Sequence, residues 1–127
     1  MQRRFRLSRS EDFKRVRRNG KSYAHPLVVL VAQANKSTGH LKIGIAAGKT
    51  TGSAVHRNRA KRLLREAMRA LIPSIAMRQN QIGQENTSGW DLILIARPAL
   101  VSATLADTRS ALASVLARAG LIPIDEP

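Results

Sequence analysis

From Gly52 to Glu66 the chain reads Gly-Ser-Ala-Val-His-Arg-Asn-Arg-Ala-Lys-Arg-Leu-Leu-Arg-Glu, and no other stretch constrains the fold as much. At ~100° per residue, Ala60, Leu63, Leu64, Ala67, Met68 and Leu71 fall on one arc. Asn58, Lys61, Arg62, Arg65 and Arg69 fall on the opposite arc, with Arg57 and Arg59 at the boundaries. Ser53 is placed to cap this helix, and Pro73 predicts its end near Leu71. A rod that is apolar on one side and cationic on the other must lie on its own protein and show its charges to solvent. Strand patterns flank it. Leu41 to Ala47 precedes it, with Ile43 and Ile45 on one face. Trp90 to Ala96 follows it, and the run Leu92-Ile93-Leu94-Ile95 predicts burial on both faces. A long helix between two strands is a crossover of the kind that joins parallel strands.

The remaining segments fill in the same plan. Residues 1–7 form a basic arm. Ser8 with Glu11 three residues later is a capping-box pattern, opening a helix to about Arg18 that Asn19-Gly20 stops. Phe13 and Val16 share a face of it. Tyr23 to Ala34 reads as a buried strand, with Pro26 marking its start or a break. Asn35 to Gly39 is a turn, and Gly48 to Gly52 is a loop whose two glycines allow unusual backbone angles. Pro73 to Gly89 is polar and predicts a helix end followed by a flexible loop. Leu105, Leu112, Val115 and Leu116 give a last helix, closed by Gly120 and Pro123. No internal repeat is visible. At 127 residues this is one domain, a sheet packed on helices.

Charge narrows the partner. The net charge is +14, and 18 of the 22 Lys and Arg lie in residues 1–70 with only three of the eight acids. So one-sided a surplus is the footprint of a polyanion-binding face. Glu66 is the only acid from Gly52 to Glu66, so ion pairs within the helix cannot neutralise its stripe. Asn58 among the arginines can donate to and accept from riboses and base edges, which favours structured RNA. Arginine outnumbers lysine 16 to 6, the right bias for bidentate phosphate contacts and stacking on bases.

Other chemistries find little support. There are no cysteines, so disulfides and cysteine-ligated zinc are excluded. The Gly48–Gly52 loop does not match the nucleotide-binding G-x-x-x-x-G-K-[ST] pattern. The eight acids are scattered, and His25, His40 and His56 fall in three different elements, so neither a metal cluster nor a histidine pair is expected. No apolar run is long enough to span a bilayer and no secretory signal is visible, so a cytoplasmic protein without a membrane partner is expected.

The segment Ala54-Val55-His56-Arg57-Asn58-Arg59-Ala60-Lys61-Arg62-Leu63-Leu64-Arg65-Glu66 resembles the signature of the bacterial ribonuclease P protein component. Arg6-Leu7, Glu11-Asp12-Phe13, Val16 and Gly20, then Lys42-Ile43-Gly44-Ile45 and Ile93-Leu94-Ile95-Ala96-Arg97-Pro98, extend the resemblance over about residues 3–118. It implies an α+β sandwich in the order α-β-β-β-α-β-α, with a mixed sheet and a left-handed β-α-β crossover, an exception to the usual hand. It also implies a catalytic RNA subunit that uses magnesium ions to remove the 5′ leader of precursor tRNA. The protein would bind no cofactor itself and be inactive alone. Carried over by residue, Arg57, Asn58, Arg59, Lys61, Arg62 and Arg65, with Lys49 in the preceding loop, are expected on the catalytic RNA. Phe13 is expected in a leader cleft between the first helix and the sheet. The chain departs from the family at Gly48-Lys49-Thr50, one cation short of the usual loop. Arg17 stands where a second aromatic often follows Phe13, and Leu27 and Val31 occupy strand positions that are often aromatic. Arg17 and Tyr23 are therefore expected to stand in for the missing cleft aromatics. The alternatives are a ribosomal or other structured-RNA binding protein, an autonomous nuclease and a DNA-binding module.

Overall fold

A computed structural model describes residues 5–35, 40–81 and 89–123, without the side chains of 76–81. Helix α1 (Ser10–Asn19) is followed by strands β1 (Lys21–Ala24), β2 (Val28–Asn35) and β3 (Leu41–Ala47). Helix α2 (Ala54–Gln81), strand β4 (Gly89–Ala96) and helix α3 (Leu105–Arg118) complete the chain. The sheet order is β1-β2-β4-β3. β1–β2 and β2–β4 are antiparallel, and β3–β4 is parallel, joined through α2 as the crossover pattern predicts. The architecture is the expected α+β sandwich with a mixed sheet. β4 lies between β2 and β3, which is why its run Leu92-Ile93-Leu94 is buried on both faces.

The faces carry different loads. On one, α2 and α3 press Ala60, Leu64, Ala67, Met68, Leu112, Val115 and Leu116 onto Leu30, Ile43, Leu92 and Leu94, forming the main core. On the other, α1 lies across the sheet with a small cluster of Leu7, Val16, Val31 and Ile93. The basic arm adds a short parallel bridge at the free edge of β3, where Leu7 N–H donates to Ile43 O at 2.8 Å.

Three local expectations are corrected. Ser8 does not cap α1. Arg9 is the N-cap residue and makes no side-chain cap bond, because Leu7 is pinned on β3 and Ser8 falls in the connector. The apolar segment from Tyr23 to Ala34 is broken into β1 and β2 by a tight turn, in which His25 N–H donates to Val28 O and Leu27 N–H donates to His25 Nδ1. Finally, α2 does not stop before Pro73 but runs through it to Gln81. Proline removes one helical hydrogen bond, yet Ile72 and the fully buried Ile75 dock the adjoining turns onto the core, and Pro73 itself faces solvent. The loop expected over 73–89 thus begins as helix, and its residues 82–88 lie outside the described residues, as do 1–4 of the arm and 36–39 of the turn.

Candidate nucleic-acid interface

The chain enters α2 from β3 through a 3₁₀ turn at Lys49–Thr51, then Gly52 at φ 126°. A side chain there would be strained by the backbone angle and would meet His56 Nδ1 at 2.7 Å. Ser53 starts the helix as expected: Arg57 N–H donates to Ser53 O at 2.9 Å, and His56 N–H reaches Ser53 Oγ at 3.5 Å. The first turn has no acid, so its positive helix end is not offset from within.

Above that start stands the cationic ridge. Asn58, Arg59, Arg62 and Arg65 are exposed, Arg57 and Lys61 half-buried, and Lys49 exposed in the turn before them. Directly beneath, Ala60, Leu64, Ala67 and Met68 are fully buried. The apolar arc fixes the roll of the helix, and the roll aims the arginines outward. Glu66 lies 3.6 Å from Arg69, and among the described residues no acid pairs with Arg57, Arg59, Arg62 or Arg65. Arg59 is partly preset: its Nε donates to Val101 O at 2.9 Å in the 3₁₀ turn Pro98–Ser102, leaving the rest of its fork to a partner. Sequence reasoning passed over Val55, which stands 76% exposed at the foot of this ridge.

The opposite sheet face is divided by α1. Strand register places Val29 beside Ile95 and Ala46, then Val31 beside Ile93 and Gly44, then Gln33 beside Asp91 and Lys42. Helix α1 crosses the middle row, setting Val16 on Val31 and Ile93 and the Phe13 ring on Gly44. A Cβ on Gly44 would lie 2.4 Å from Phe13 Cζ, so only glycine admits the ring. To one side remains an apolar floor of Val29 and Ile95, half-buried, with Arg17 exposed one helical turn after Phe13. To the other side Arg15 donates to Gln33 Oε1, to Asp12 Oδ1 and to the buried Asp91 Oδ2. The hydrogen bond that Arg15 donates to Asp91 outweighs the opposing cost of burial and pushes the pKa of Arg15 up.

Phe13 and Arg65 are brought to one cleft. A cavity of about 250 Å3 at the free edge of β3 is lined by Arg6, Leu7, Ser8, Phe13, Ile43, Ile45 and Arg65. It links the two groups of expected site residues, and Arg6, which the resemblance covered without giving it a role, joins them. Tyr23 is not brought there. It pairs with Leu30 and so points to the α2–α3 face, where Lys21 Nζ lies 5.7 Å and Arg118 Cζ 5.9 Å from its ring. The expectation that Tyr23 shares the cleft with Phe13 is corrected by that strand parity. Val31 is buried beneath α1, and Leu27 packs on the main core, so neither offers cleft surface.

Comparison with known proteins agrees with this arrangement. The family model for ribonuclease P matches residues 1–120. The ribonuclease P protein component of Herpetosiphon aurantiacus is 37% identical over 124 residues, covering 95% of this chain and 89% of that protein. The component from Chloroflexus aurantiacus (strain J-10-fl) is 34% identical over 125 residues, covering 97% and 83%. The solved structure of the Staphylococcus aureus RNase P protein superposes with a TM-score of 0.76 at 29% identity, covering 93% of this chain and 97% of that one. The outward arginine ridge, the crossover that carries it and these likenesses lead to one conclusion: the chain belongs to the bacterial ribonuclease P protein family and assists a catalytic RNA in cleaving the 5′ leader from precursor tRNA.

Proposed function

We propose that Lys49, Arg57, Asn58, Arg59, Lys61, Arg62 and Arg65 grip the catalytic RNA. The apolar side of α1, from Phe13 past Arg17 and over Val29 and Ile95, takes the single-stranded leader. The observation that carries this reading is the ridge itself: guanidinium groups without acid partners among the described residues, aimed outward by a buried stripe on the same helix. Folded RNA repays that self-repulsion by releasing counterions. The leader cleft relies on one aromatic, Phe13, and on charge from Arg17, Arg6 and Arg65. Tyr23, on the far face, is left out of it.

The protein supplies binding, and the RNA supplies chemistry with magnesium ions. The described acids near this surface suit no dication. Glu66 faces Arg69, while Asp12 and Asp91 share Arg15 and stand among Arg6, Arg9 and Lys42. Among the described residues no three His, Asp or Glu side chains come together. No helix among them is long and apolar enough to cross a membrane, and the proposed place of work is the cytoplasm.

Reconstitution tests the reading. The protein mixed with its cognate RNA should restore precursor-tRNA cleavage at low magnesium, and the protein alone should cut nothing. Arg57→Ala, Arg59→Ala or Arg62→Ala should each flatten the log–log salt dependence of RNA binding by roughly 0.7–0.9. An unchanged slope in all three would mean that the ridge is merely solvated. Cleavage by RNA-free protein would move the chemistry onto the chain.

A further inference from the structure

A second, differently built cavity lies on the Arg15 side of α1 and meets the leader cleft at Arg6, Leu7 and Ser8. It has a volume of about 530 Å3 and is lined by Arg6, Leu7, Ser8, Arg9, Asp12, Arg15, Asn35, Lys42 and Asp91. Its Asp91 is 1% exposed, and only half of that carboxylate is used. Oδ2 accepts from Arg15 and, at 2.8 Å, from Asn35 Nδ2. Oδ1 is buried and has no hydrogen-bond partner. A buried acceptor left unmet is costly unless something supplies a donor.

The rim asks for the opposite kind of group. Arg6, Arg9, Lys42 and Arg15 line it, and Arg15 binds Asp12 and Asp91. The α1 N-terminus opens beside them without a side-chain cap. Four cations against two carboxylates disfavour a metal ion and favour an anion at the mouth. The occupant must therefore carry a phosphate and, a few ångströms further in, an N–H or O–H donor.

We infer that this cavity is a ribonucleotide site in its own right, adjoining the leader cleft at Arg6, Leu7 and Ser8. A phosphate sits between Arg6, Arg9, Lys42 and the α1 N-terminus, and a base N–H or the 2′-hydroxyl of the same nucleotide donates to Asp91 Oδ1. The inference rests on the reading of the protein as an RNA binder but not on which RNA the ridge holds. Helix α1 divides their floors: Phe13 and Arg17 face one, Arg15 the other, and Arg6 stands at the junction.

The test titrates the full-length protein with guanosine 5′-monophosphate and follows the side-chain amide of Asn35, which shares the Asp91 carboxylate, by NMR. Binding should shift that amide. It should be about fivefold or more tighter than for inorganic phosphate or for guanosine, the worth of one added contact. Arg9→Ala and Lys42→Ala, both outside the core, should weaken it by about fivefold or more, and Asp91→Asn should remove the advantage over phosphate. The 2′-deoxy nucleotide separates the two donors: equal binding names the base, weaker binding names the 2′-hydroxyl. Phosphate binding as tightly as the nucleotide, or shifts confined to Phe13, Arg17 and the α2 ridge, would overturn the proposal. Arg62→Ala should leave this titration untouched while flattening the salt slope of RNA binding, so the ridge and the cavity can fail separately.

Discussion

Gly44→Ala is the sharpest probe of how the sheet seats its one cleft aromatic. The new Cβ would lie 2.4 Å from Phe13 Cζ, 2.8 Å from Cε2 and 3.1 Å from Cε1, where ordinary contact begins near 3.4 Å. The ring must therefore retreat by about 1 Å. The strand cannot yield instead, because Gly44 is held in register with Ile93 of the central strand. Overpacking of this kind costs about 1–3 kcal/mol. Phe13 is only half-buried and can tip toward solvent, so the lower part of that range, about 1–2 kcal/mol or a ~5–30-fold shift in the folding equilibrium, is expected. Urea unfolding of the single and double variants with Phe13→Ala checks it. With the ring gone, the three atoms nearest the added methyl are gone with it, and alanine should become neutral or stabilising by roughly 0.5–1 kcal/mol through its smaller backbone entropy. The cycle should show about 1–3 kcal/mol of coupling, beyond the ~0.5 kcal/mol scatter of independent sites. In the reconstituted enzyme Gly44→Ala should weaken binding of precursor tRNA but not of leaderless tRNA. Additive effects in the cycle would refute the seat, and equal losses on both RNAs would refute its link to the leader.

Other perturbations address the frame around that seat. Pro73→Ala restores a helical N–H at a solvent-facing position and should stabilise the protein by about 1–3 kcal/mol in denaturant melts. Destabilisation would mean that the helix does not continue through residue 73. Thr104→Ala removes a complete capping box, in which Asp107 N–H donates to Thr104 Oγ1 at 3.0 Å, and should cost about 1 kcal/mol with no effect on RNA affinity. Arg15→Met strands Asp91 against the sheet. A fully buried broken pair costs about 3–5 kcal/mol, but Arg15 is a third exposed and water can enter, so a loss of about 1–3 kcal/mol is expected by thermal melting. A neutral result would show that the apolar contacts of Phe13 and Val16 suffice to hold α1.

Much of this architecture could be read from the sequence because two signals agreed. The apolar arc of Ala60, Leu64, Ala67 and Met68 fixed which side of α2 is buried, and the arginines opposite had nowhere else to point. The run at Leu92 to Ile95 announced a strand with both faces covered, and the centre of the sheet is where it lies. Local breakers were less legible. Pro73 carries a real local penalty that the burial of Ile75, several turns from the ridge, outweighs, and a residue-by-residue reading cannot see that partner. The pairing of Arg15 with Asp91 spans 76 positions, and no pattern within either segment foreshadows it.

The misplacement of Tyr23 shows where a charge-and-aromatics reading reaches its physical limit. In a strand each step of one residue reverses the face, so a side chain's side depends on how the preceding turn sets the register. Here the turn at His25 to Leu27 pairs Tyr23 with Leu30, and Leu30 belongs to the main core. One residue's slip would have put Tyr23 opposite Val29 or Val31 and into the α1 face beside Phe13. Apolar residues occupy both faces of β2, so the alternation that usually reveals register is absent from Val28 to Ala32. The cleft consequently has one aromatic, Phe13, where two, Phe13 and Tyr23, were expected. Arg6, Arg17 and Arg65 around Phe13 then make leader binding more sensitive to salt and less to base identity than stacking would. Substituting Tyr23 should leave leader affinity unchanged, while Phe13→Ala should reduce it by roughly the 1–3 kcal/mol of one stacked base. Equal losses from both would mean that the leader wraps around β1 to the far face.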